Sequence, residues 1–328
     1  MLYLYFIIAL AVSLGLTVLA ERILIPVLKS VKMEQKILDI GPRWHKSKEG
    51  TPTMGGLGFI ISAVVVFAGI VSVMAFTTDH LNIWRICITF GFALLCGGIG
   101  FIDDYAKFFK KENEGLSAGN KYLLQLIAAA LYLFMMVWKG GLTTELNIPF
   151  FNVAWDLGIF YYVFALVLIT GIVNSVNLTD GIDGLAASIT AIVGAFFAVV
   201  AFVFGNGDSA ILSAITTGCC VGFLVYNFYP ARVFMGDTGS LFLGGIVIGL
   251  AFLMDQPLII VLAGFVYIAE TLSVILQVAS FKLTGKRIFK MSPIHHHFEK
   301  SGWSELKIVG VFSLVTAIFC FIAYWGMN

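Results

Sequence analysis

The chain has 328 residues, of which 59% are hydrophobic and only 12% are charged, and its mean hydropathy is +0.97. Apolar runs of about 18 or more residues recur from end to end, which excludes a disordered, fibrous, disulfide-scaffold or cytosolic protein. The composition predicts an integral membrane protein, in which each charged residue must mark a loop or a polar cavity because charge is costly inside hydrocarbon.

Ten helical spans are predicted, since a helix crosses the membrane in about 20 residues and these runs are too long for barrel strands. The fold class is therefore all-α and polytopic, with one transmembrane domain over residues 1–328. The first run has no basic start and no cleavage site, so we expect it to be retained. The spans cover about 3–25, 54–76, 84–101, 122–138, 157–173, 185–204, 209–226, 240–254, 257–280 and 306–325.

The connections between these spans alternate between two kinds. One kind is short and holds only Arg85 and Lys139 among the basic residues, whereas the other holds the remaining 18 of the 20 Lys and Arg residues. The positive-inside rule makes the basic connections cytoplasmic, and an even number of spans then places both termini outside the cytoplasm. The five cysteines all lie in apolar runs, which predicts buried thiols.

Adjacent carboxylates end the third predicted span. In the segment Phe101–Lys107, Asp103 and Asp104 would point about 100° apart on a helix, so that one faces a cleft while the other braces its neighbour. The alternative is an ordinary solvated helix end.

A second polar motif runs from Asn174 to Gly184. Its Asp180 and Asp183 are three residues apart and share a face if the segment is helical, and its glycines allow a backbone or ligand to approach closely. Asn174 and Asn177 add neutral oxygens. The alternative is a capped turn.

A third motif runs from Asn227 to Ser240, where an apolar helix is predicted to begin. Asp237 either caps that helix through main-chain N–H groups or holds a metal that neutralises a phosphate bound at the helix N-terminus.

A fourth motif holds His295, His296 and His297 in the last cytoplasmic connection. Three successive imidazoles cannot all face one point, so one or two are available to bind phosphate while the rest brace the loop. Zinc is disfavoured because no cysteine accompanies them and the nearby groups are hard oxygens.

Together the motifs predict a mouth rich in carboxylates. Such ligands suit Mg²⁺, whose coordination shell is usually completed by substrate phosphates. The lysines suit an anionic substrate such as a diphosphate. A carrier that relays protons would need acids within the spans, and Glu270 is the only acid that the pattern clearly places there. The lysines around the mouth are Lys46, Lys48, Lys107, Lys110, Lys111 and Lys121.

Five segments, in order and at family spacing, resemble the phospho-N-acetylmuramoyl-pentapeptide transferases, also called MraY translocases. This family is a branch of the polyprenyl-phosphate N-acetylhexosamine-1-phosphate transferases, and the histidine segment resembles that branch most. Gly119 departs from the family, in which a basic residue is frequent at this position. The segments are Gly50–Gly56, Phe101–Lys107, Asn177–Ala186, Phe234–Ser240 and Pro293–Glu299.

The resemblance implies transfer of phospho-MurNAc-pentapeptide from its UDP carrier to undecaprenyl phosphate, giving lipid I and UMP, with Mg²⁺ as cofactor. It implies an active site on the cytoplasmic face of a bacterial cell membrane. The implied partners are UDP-MurNAc-pentapeptide, undecaprenyl phosphate, the lipid bilayer and a second copy of the chain in a homodimer, with no nucleic acid.

The resemblance also implies roles for single residues. Asp237 would hold Mg²⁺, Asp103 would be the base on the lipid phosphate, and Asp104 would support it. Phosphates would be contacted by Lys107, Lys121, His295, His296 and His297, of which His296 is taken as catalytic. The nucleotide-sugar site would be lined by Lys46, Thr51, Asn174, Asp180, Asp183, Asn227 and Phe234, with Phe234 available to stack on uracil.

Three alternatives remain open at this point. A related transferase that uses UDP-N-acetylglucosamine would share the carboxylate motifs. A secondary transporter would need a polar site at mid-membrane or paired broken helices, and a scaffolding protein would not need five polar motifs on one face. Within the transferase, direct attack by the lipid phosphate and a covalent aspartyl intermediate are both compatible with the sequence.

Overall fold

The computed structural model describes residues 2–31, 48, 50–77, 83–110, 115–151 and 153–327. In these ranges ten helices are long and apolar enough to cross a membrane, which confirms the predicted number and the all-α class. In chain order the helices are α1 (Leu2–Ser30), α2 (Gly56–Thr77), α3 (Ile83–Lys110), α4 (Ala118–Trp138), α5 (Phe160–Thr179), α6 (Leu185–Val203), α7 (Gly207–Asn227), α8 (Gly236–Leu253), α9 (Ile260–Ala263), α10 (Phe265–Thr284), α11 (Ile294–Glu299) and α12 (Glu305–Gly326).

Helix α8 lies at the centre of the bundle, and 89% of its residues are buried. It packs against α3, α5, α6 and α7. A Cβ atom at Gly244 would lie 2.8 Å from Val173 Cα, and one at Gly245 would lie 2.9 Å from Ala93 Cα. Glycine therefore lets the backbones of α5 and α3 approach α8 closely, as small residues do between helices in membranes.

The contact between α3 and α8 continues into the polar end of the bundle. A Cβ atom at Gly100 would overlap the carbonyl group of Asp237, and one at Gly56 would overlap Gly239. These contacts bring α2, α3 and the first turn of α8 together at one end, here called the site end. They fix the position of Asp237 relative to α3.

Two helix boundaries differ from the prediction at this end. Helix α3 continues to Lys110 instead of ending near residue 101, and α8 begins at Gly236 instead of near Ser240. Asp103, Asp104 and Asp237 therefore all lie on helices. The charged end of α3 stays helical because Lys107 lies one turn beyond Asp103, with its Nζ 2.7 Å from that carboxylate.

The predicted span at 257–280 is not one helix. A 3₁₀ turn at Pro257–Ile259 leads into α9, and Gly264 separates α9 from α10. A Cβ atom at Gly264 would lie 2.7 Å from the carbonyl oxygen of Ile260, so the chain passes close to its own preceding turn there.

Helix α1 is also longer than predicted, since it continues past Pro26 to Ser30. Glu21, which the predicted span 3–25 already contains, is fully buried inside this candidate span, with its carboxylate against Gly58. The prediction that Glu270 is the only clear acid within a span is wrong.

The far end of the bundle carries a hairpin that the sequence pattern did not predict. Strands β1 (Glu145–Ile148) and β2 (Val153–Asp156) pair antiparallel within the connection from α4 to α5. The Arg85 guanidinium donates to Asp255 and to the carbonyl of Phe252, and Asn147 donates to the carbonyl of Asp255 at 3.0 Å. These bonds tie the hairpin and α3 to the end of α8.

Gly100 gives a direct test of the close packing between α3 and α8. We expect Gly100→Ala to lower stability by about 1–3 kcal/mol, because the added methyl group must displace the main chain at Asp237. The measurement is the midpoint of thermal unfolding of the purified protein in detergent.

The matched control for this substitution is Gly98→Ala in the same helix, where an added Cβ meets nothing within 4 Å. Its unfolding midpoint should stay at or slightly above that of the unchanged chain, because alanine is the better helix former. Equal midpoints for the two variants would contradict the proposed tight contact.

Candidate active site

Three carboxylates meet at the site end of the bundle. Asp103 and Asp104 come from α3 and Asp237 comes from the first turn of α8, and one oxygen of each lies within 4.8 Å of the others. Asp103 and Asp104 are buried, while Asp237 is partly exposed. Three like charges this close repel each other strongly in a poorly solvated place, so this acidic triad needs positive partners.

Two lysines supply that positive charge. Lys107 Nζ lies 2.7 Å from Asp103 Oδ2 and 2.5 Å from Asp237 Oδ2. Lys121 Nζ, from the first turn of α4, lies 2.9 Å from Asp237 Oδ2 and 3.7 Å from Asp103 Oδ2. The two ammonium groups therefore link α3, α4 and α8 through their carboxylates.

Asp104 has a different set of partners, which belong to the N-terminus of α8. It accepts hydrogen bonds from the main-chain N–H of Asp237 at 3.2 Å and from Thr238 through both N–H, at 2.9 Å, and Oγ1, at 2.7 Å. A helix N-terminus offers free N–H groups and favours negative charge. Asp104 thus caps α8 from a neighbouring helix, and the alternative in which Asp237 is the cap is wrong.

Asn177 completes the surroundings of Asp237. Its amide nitrogen donates to Asp237 Oδ1 at 2.6 Å and to Ser240 Oγ at 2.8 Å. One oxygen of Asp237 therefore contacts an amide from α5 while the other contacts the two lysines. This places Asp237 at the meeting point of four helices.

Asp180 lies beside this cluster in the turn after α5. It is partly buried, and that burial raises its pKa well above the ordinary value for aspartate, with the charges of Asp237, Asp104 and Asp183 raising it further. A cation or a phosphate-bound metal near the cluster would reverse this effect, because positive charge favours the carboxylate.

Asp183 faces elsewhere, because the segment is a turn and the condition for a face shared with Asp180, a helix, is not met. Helix α5 ends at Thr179 and α6 begins at Leu185, and the residues between form a tight turn. Asp183 pairs with Lys48 Nζ at 2.7 Å and accepts the N–H of Ala231 at 2.9 Å. Lys48 also pairs with Glu305 at 2.7 Å, so this ion-pair group joins three parts of the site end.

Asn227 and Asn174 are both bonded within the protein. Asn227 is buried, accepts the N–H of Gly184 at 3.1 Å and donates to the carbonyl of Val233 at 2.9 Å. Asn174 exchanges hydrogen bonds with Gln125 and donates to the carbonyl of Thr170. Their present bonds shape the turns around the site, and their contacts to substrate stay predictions.

Phe234 lies partly exposed just before α8. Its main-chain N–H donates to Pro52 and its carbonyl accepts from Gly55, at 2.9 and 2.8 Å, which holds the segment with Thr51 beside it. Lys46 and Lys111 lie outside the described residues.

The three histidines occupy the short helix α11 and point to different partners. His295 is fully buried, with Nδ1 3.1 Å from Glu270 Oε1 and its ring against Gly181. His296 Nδ1 lies 2.5 Å from Glu299 Oε2, and His297 Nδ1 accepts the N–H of Lys290 at 3.1 Å. The prediction that they cannot share one target is confirmed.

The donor set of the triad is uniform in its chemistry. Asp103, Asp104 and Asp237 offer carboxylate oxygens, while Asn177 orients Asp237 by donating to its Oδ1. Hard oxygen ligands that do not close a full cage fit Mg²⁺, which keeps waters and takes phosphate oxygens as further ligands. The residues present therefore fit this ion.

Comparison with known proteins decides the family. A family model described as glycosyl transferase family 4 matches residues 86–255. The phospho-N-acetylmuramoyl-pentapeptide-transferase of Clostridium novyi is 48% identical over 96% of this chain and 95% of its own length, and that of Staphylococcus carnosus is 45% identical over 94% and 95%. The chain belongs to the phospho-N-acetylmuramoyl-pentapeptide-transferase family. The resemblance drawn from the five motifs is confirmed.

In this transferase the matched region runs from α3 to the end of α8. It contains the acidic triad, both lysines and Asn177. The histidine helix α11 follows it, although His295 packs against Gly181 inside it. The site is thus assembled from the region that the family model matches and from a later segment.

Several residues of the site were not among the predicted site residues. Thr238 and Ser240 lie inside the third motif, where only Asp237 was singled out, and Glu305 lies at the start of the last helix with no motif around it. Asn177 did carry a signal, because it lies three residues after Asn174 in the same polar motif. Lys48 was predicted only as one of the lysines around the mouth.

Thr238 provides a test of the cap on α8. We expect Thr238→Val to lower stability by about 1.5–3 kcal/mol, because it removes a buried hydrogen bond to the Asp104 carboxylate and keeps the side-chain shape. The unfolding midpoint of the purified transferase measures the loss.

Thr216→Val is the control, since Thr216 is also buried but its hydroxyl donates only to Leu212 within α7. It should change the midpoint far less. If both variants lose the same amount, the hydroxyl of Thr238 contributes nothing beyond that of an ordinary helical threonine.

Proposed function

We propose that the chain transfers phospho-MurNAc-pentapeptide from UDP-MurNAc-pentapeptide to undecaprenyl phosphate, giving lipid I and UMP in the first membrane step of peptidoglycan synthesis. The names of the relatives support this reaction. The observation that carries the proposal is the set of three carboxylates and two lysines at one end of a ten-helix membrane bundle. There a soluble nucleotide sugar can meet a phosphate whose lipid tail stays in the bilayer.

The site end is proposed to face the bacterial cytoplasm, with both termini on the opposite side. The distribution of Lys and Arg along the chain supports this orientation, because basic connections remain in the cytoplasm. The chain is proposed to act as one transmembrane domain and to form a homodimer.

The main task of the site is to bring anions together. The lipid phosphate and the diphosphate of the nucleotide sugar repel each other, and catalysis of phosphoryl transfer depends largely on their neutralisation and in-line alignment. Lys107 and Lys121, now paired with Asp103 and Asp237, are placed to exchange those carboxylates for phosphate oxygens. Asp237 is proposed as the principal Mg²⁺ ligand, and the bound ion would supply further positive charge for the phosphates.

Asp103 is proposed as the base that takes the last proton of the lipid phosphate. Its Oδ1 accepts the N–H of Leu116 at 2.8 Å, which orients the carboxylate, while Oδ2 faces Lys107 and Lys121. Little basicity is required, because a phosphate monoester has a second pKa of about 6. Attack of Asp103 itself on the phosphosugar is the rival route, and trapping a phosphosugar on this residue would favour it.

The remaining proposed contacts surround this centre. The diphosphate would be contacted by the histidine helix, with His296 as the catalytic member. Phe234 would stack on uracil, since it is partly exposed and its main chain is held on both sides. The other residues proposed for the nucleotide-sugar site are Lys46, Thr51, Asn174, Asp180, Asp183 and Asn227.

Asp237→Asn tests the assignment of the metal site. We expect it to reduce turnover by a factor of about 100 or more, because it removes a charged ligand that acts where the phosphates converge. UMP release by the purified protein at several Mg²⁺ concentrations measures the effect, and the unfolding midpoint checks the fold.

Asp156→Asn serves as the control, since Asp156 lies exposed on the hairpin at the far end. Its turnover should equal that of the unchanged enzyme. Full activity of Asp237→Asn at ordinary Mg²⁺ would exclude Asp237 as an essential ligand.

The reaction itself is tested by substrate choice. The purified protein is incubated with undecaprenyl phosphate, Mg²⁺ and either UDP-MurNAc-pentapeptide or UDP-N-acetylglucosamine, and UMP release is measured. We expect release with the first substrate alone. Release with UDP-N-acetylglucosamine alone would favour the related transferase, and release with neither would refute the proposed reaction.

A further inference from the structure

The second half of α10 is not covered by the rest of the protein. Every residue from Ile275 to Thr284 is partly or fully exposed, whereas all but two residues of α8 are buried. Its exposed side chains include Ile275, Leu276 and Val278, which spread over about 160° of the helix surface. In a membrane protein, a broad apolar helix surface that the protein leaves uncovered contacts lipid.

This helix ends in a compact reversal of the chain, here called the α10 tip and defined as residues 280–290. Gly285 adopts a φ of +71°, which favours glycine, and the chain turns back there. Gln277 holds the returning segment, since its Oε1 accepts the N–H of Ile288 at 3.0 Å and of Phe289 at 2.9 Å. Ser280 Oγ also donates to the carbonyl of Lys286 at 2.9 Å. The tip is therefore a structured projection.

The tip carries a concentrated positive charge. Four basic residues fall within 282–290, and the sequence has no acid between Glu270 and Glu299. All four side chains are exposed, and none of them forms an ion pair with the residues that the structure describes. Lys48, Lys107 and Lys121 at the same end are all paired with carboxylates. The four basic residues are Lys282, Lys286, Arg287 and Lys290.

Large apolar side chains lie between these cations. Leu283 is 84% exposed, and Phe281 and Ile288 are more than half exposed. A soluble acidic partner would neutralise the cations but would not require three exposed apolar groups on the continuation of a membrane-spanning helix. At a membrane surface, apolar side chains enter the interface while lysine and arginine reach the headgroups, which satisfies both kinds of group.

We propose that the α10 tip binds the headgroups of anionic phospholipids in the leaflet at the site end. The cations attract lipid phosphates that carry net charge, and the apolar side chains anchor the tip below them. The returning segment leads directly to α11, and the N–H of Lys290 donates to His297. Lipid binding at the tip therefore holds the histidine helix at a fixed height relative to the membrane surface.

The test compares lipid affinities of the full-length protein in detergent. Dioleoyl-phosphatidylglycerol or dioleoyl-phosphatidylcholine is titrated in, and bound lipid is measured by native mass spectrometry. We expect the unchanged chain to prefer phosphatidylglycerol. Each cation near an anionic surface contributes about fivefold in affinity, so Lys286→Gln/Arg287→Gln should reduce that preference by a factor of about 25.

Arg22→Gln/Lys29→Gln is the matched control, because both residues are exposed on α1 toward the site end and the charge change is the same. It should reduce the preference far less than the tip substitution does, because Arg22 and Lys29 lie about two helical turns apart and form no cluster. The reversal Lys286→Glu/Arg287→Glu should weaken phosphatidylglycerol binding further, and 0.5 M salt should reduce the preference of the unchanged chain by screening.

Three outcomes would overturn the proposal. One is an undiminished preference in both tip variants while their unfolding midpoints match the unchanged chain. Another is an equal loss in the α1 control, which would mean that net charge alone is responsible. The third is that the tip variants lose binding to a soluble polyglutamate peptide while their lipid binding stays intact, which would assign the tip to an acidic protein partner instead. None of these measurements depends on turnover, so they are independent of the proposed reaction.

Discussion

Charge placed in a poorly solvated site is the constraint on which the rest of the structure depends. Three carboxylates approach within 4.8 Å at the end of a bundle whose interior is apolar. Such a cluster is stable only if positive groups converge on it, and here they come from two lysine side chains and the N-terminus of α8. Each of these positive groups belongs to a different part of the chain, so neutralising the acids also fixes the relative positions of α3, α4 and α8.

The same requirement explains the glycines. For Asp104 to reach the N-terminus of α8, the backbones of α3 and α8 must come closer than side chains would allow, and Gly100 permits this. Gly56 does the same for α2 against Gly239. In this region the electrostatic contact between Asp104 and α8 therefore depends on the close packing of the two helices. A methyl group at Gly100 would push apart the two groups whose attraction holds the cluster together.

Much of the fold was predictable because hydropathy is a strong signal. Ten spans and the alternation of basic and neutral connections follow from residue type alone, and the five motifs identified the family. Helix ends were less predictable. Asp103, Asp104 and Asp237 were placed at helix boundaries because charge usually ends a span, yet α3 and α8 continue through them, since Lys107 and the cap by Asp104 compensate the charge.

The partners within the site were the least predictable part. The spacing of Asp180 and Asp183 gives a shared face only in a helix, and the turn between α5 and α6 directs Asp183 to Lys48 and Ala231 instead. Thr238 lies in a quoted motif and Glu305 in none, but for both the partner is set by contacts between distant segments. Periodicity describes one helix at a time, whereas these partners depend on how helices pack.

The central helix α8 is restrained at both of its ends. Asp104 holds its first turn, and at the other end Asn206 donates to the carbonyl of Leu253 while Arg85 binds Asp255 just beyond the helix. A helix held at both ends is restrained along its length, so the position of Asp237 is set by the packing of the bundle. Changes in substrate specificity should therefore be sought in the turns around α8 and not in α8 itself.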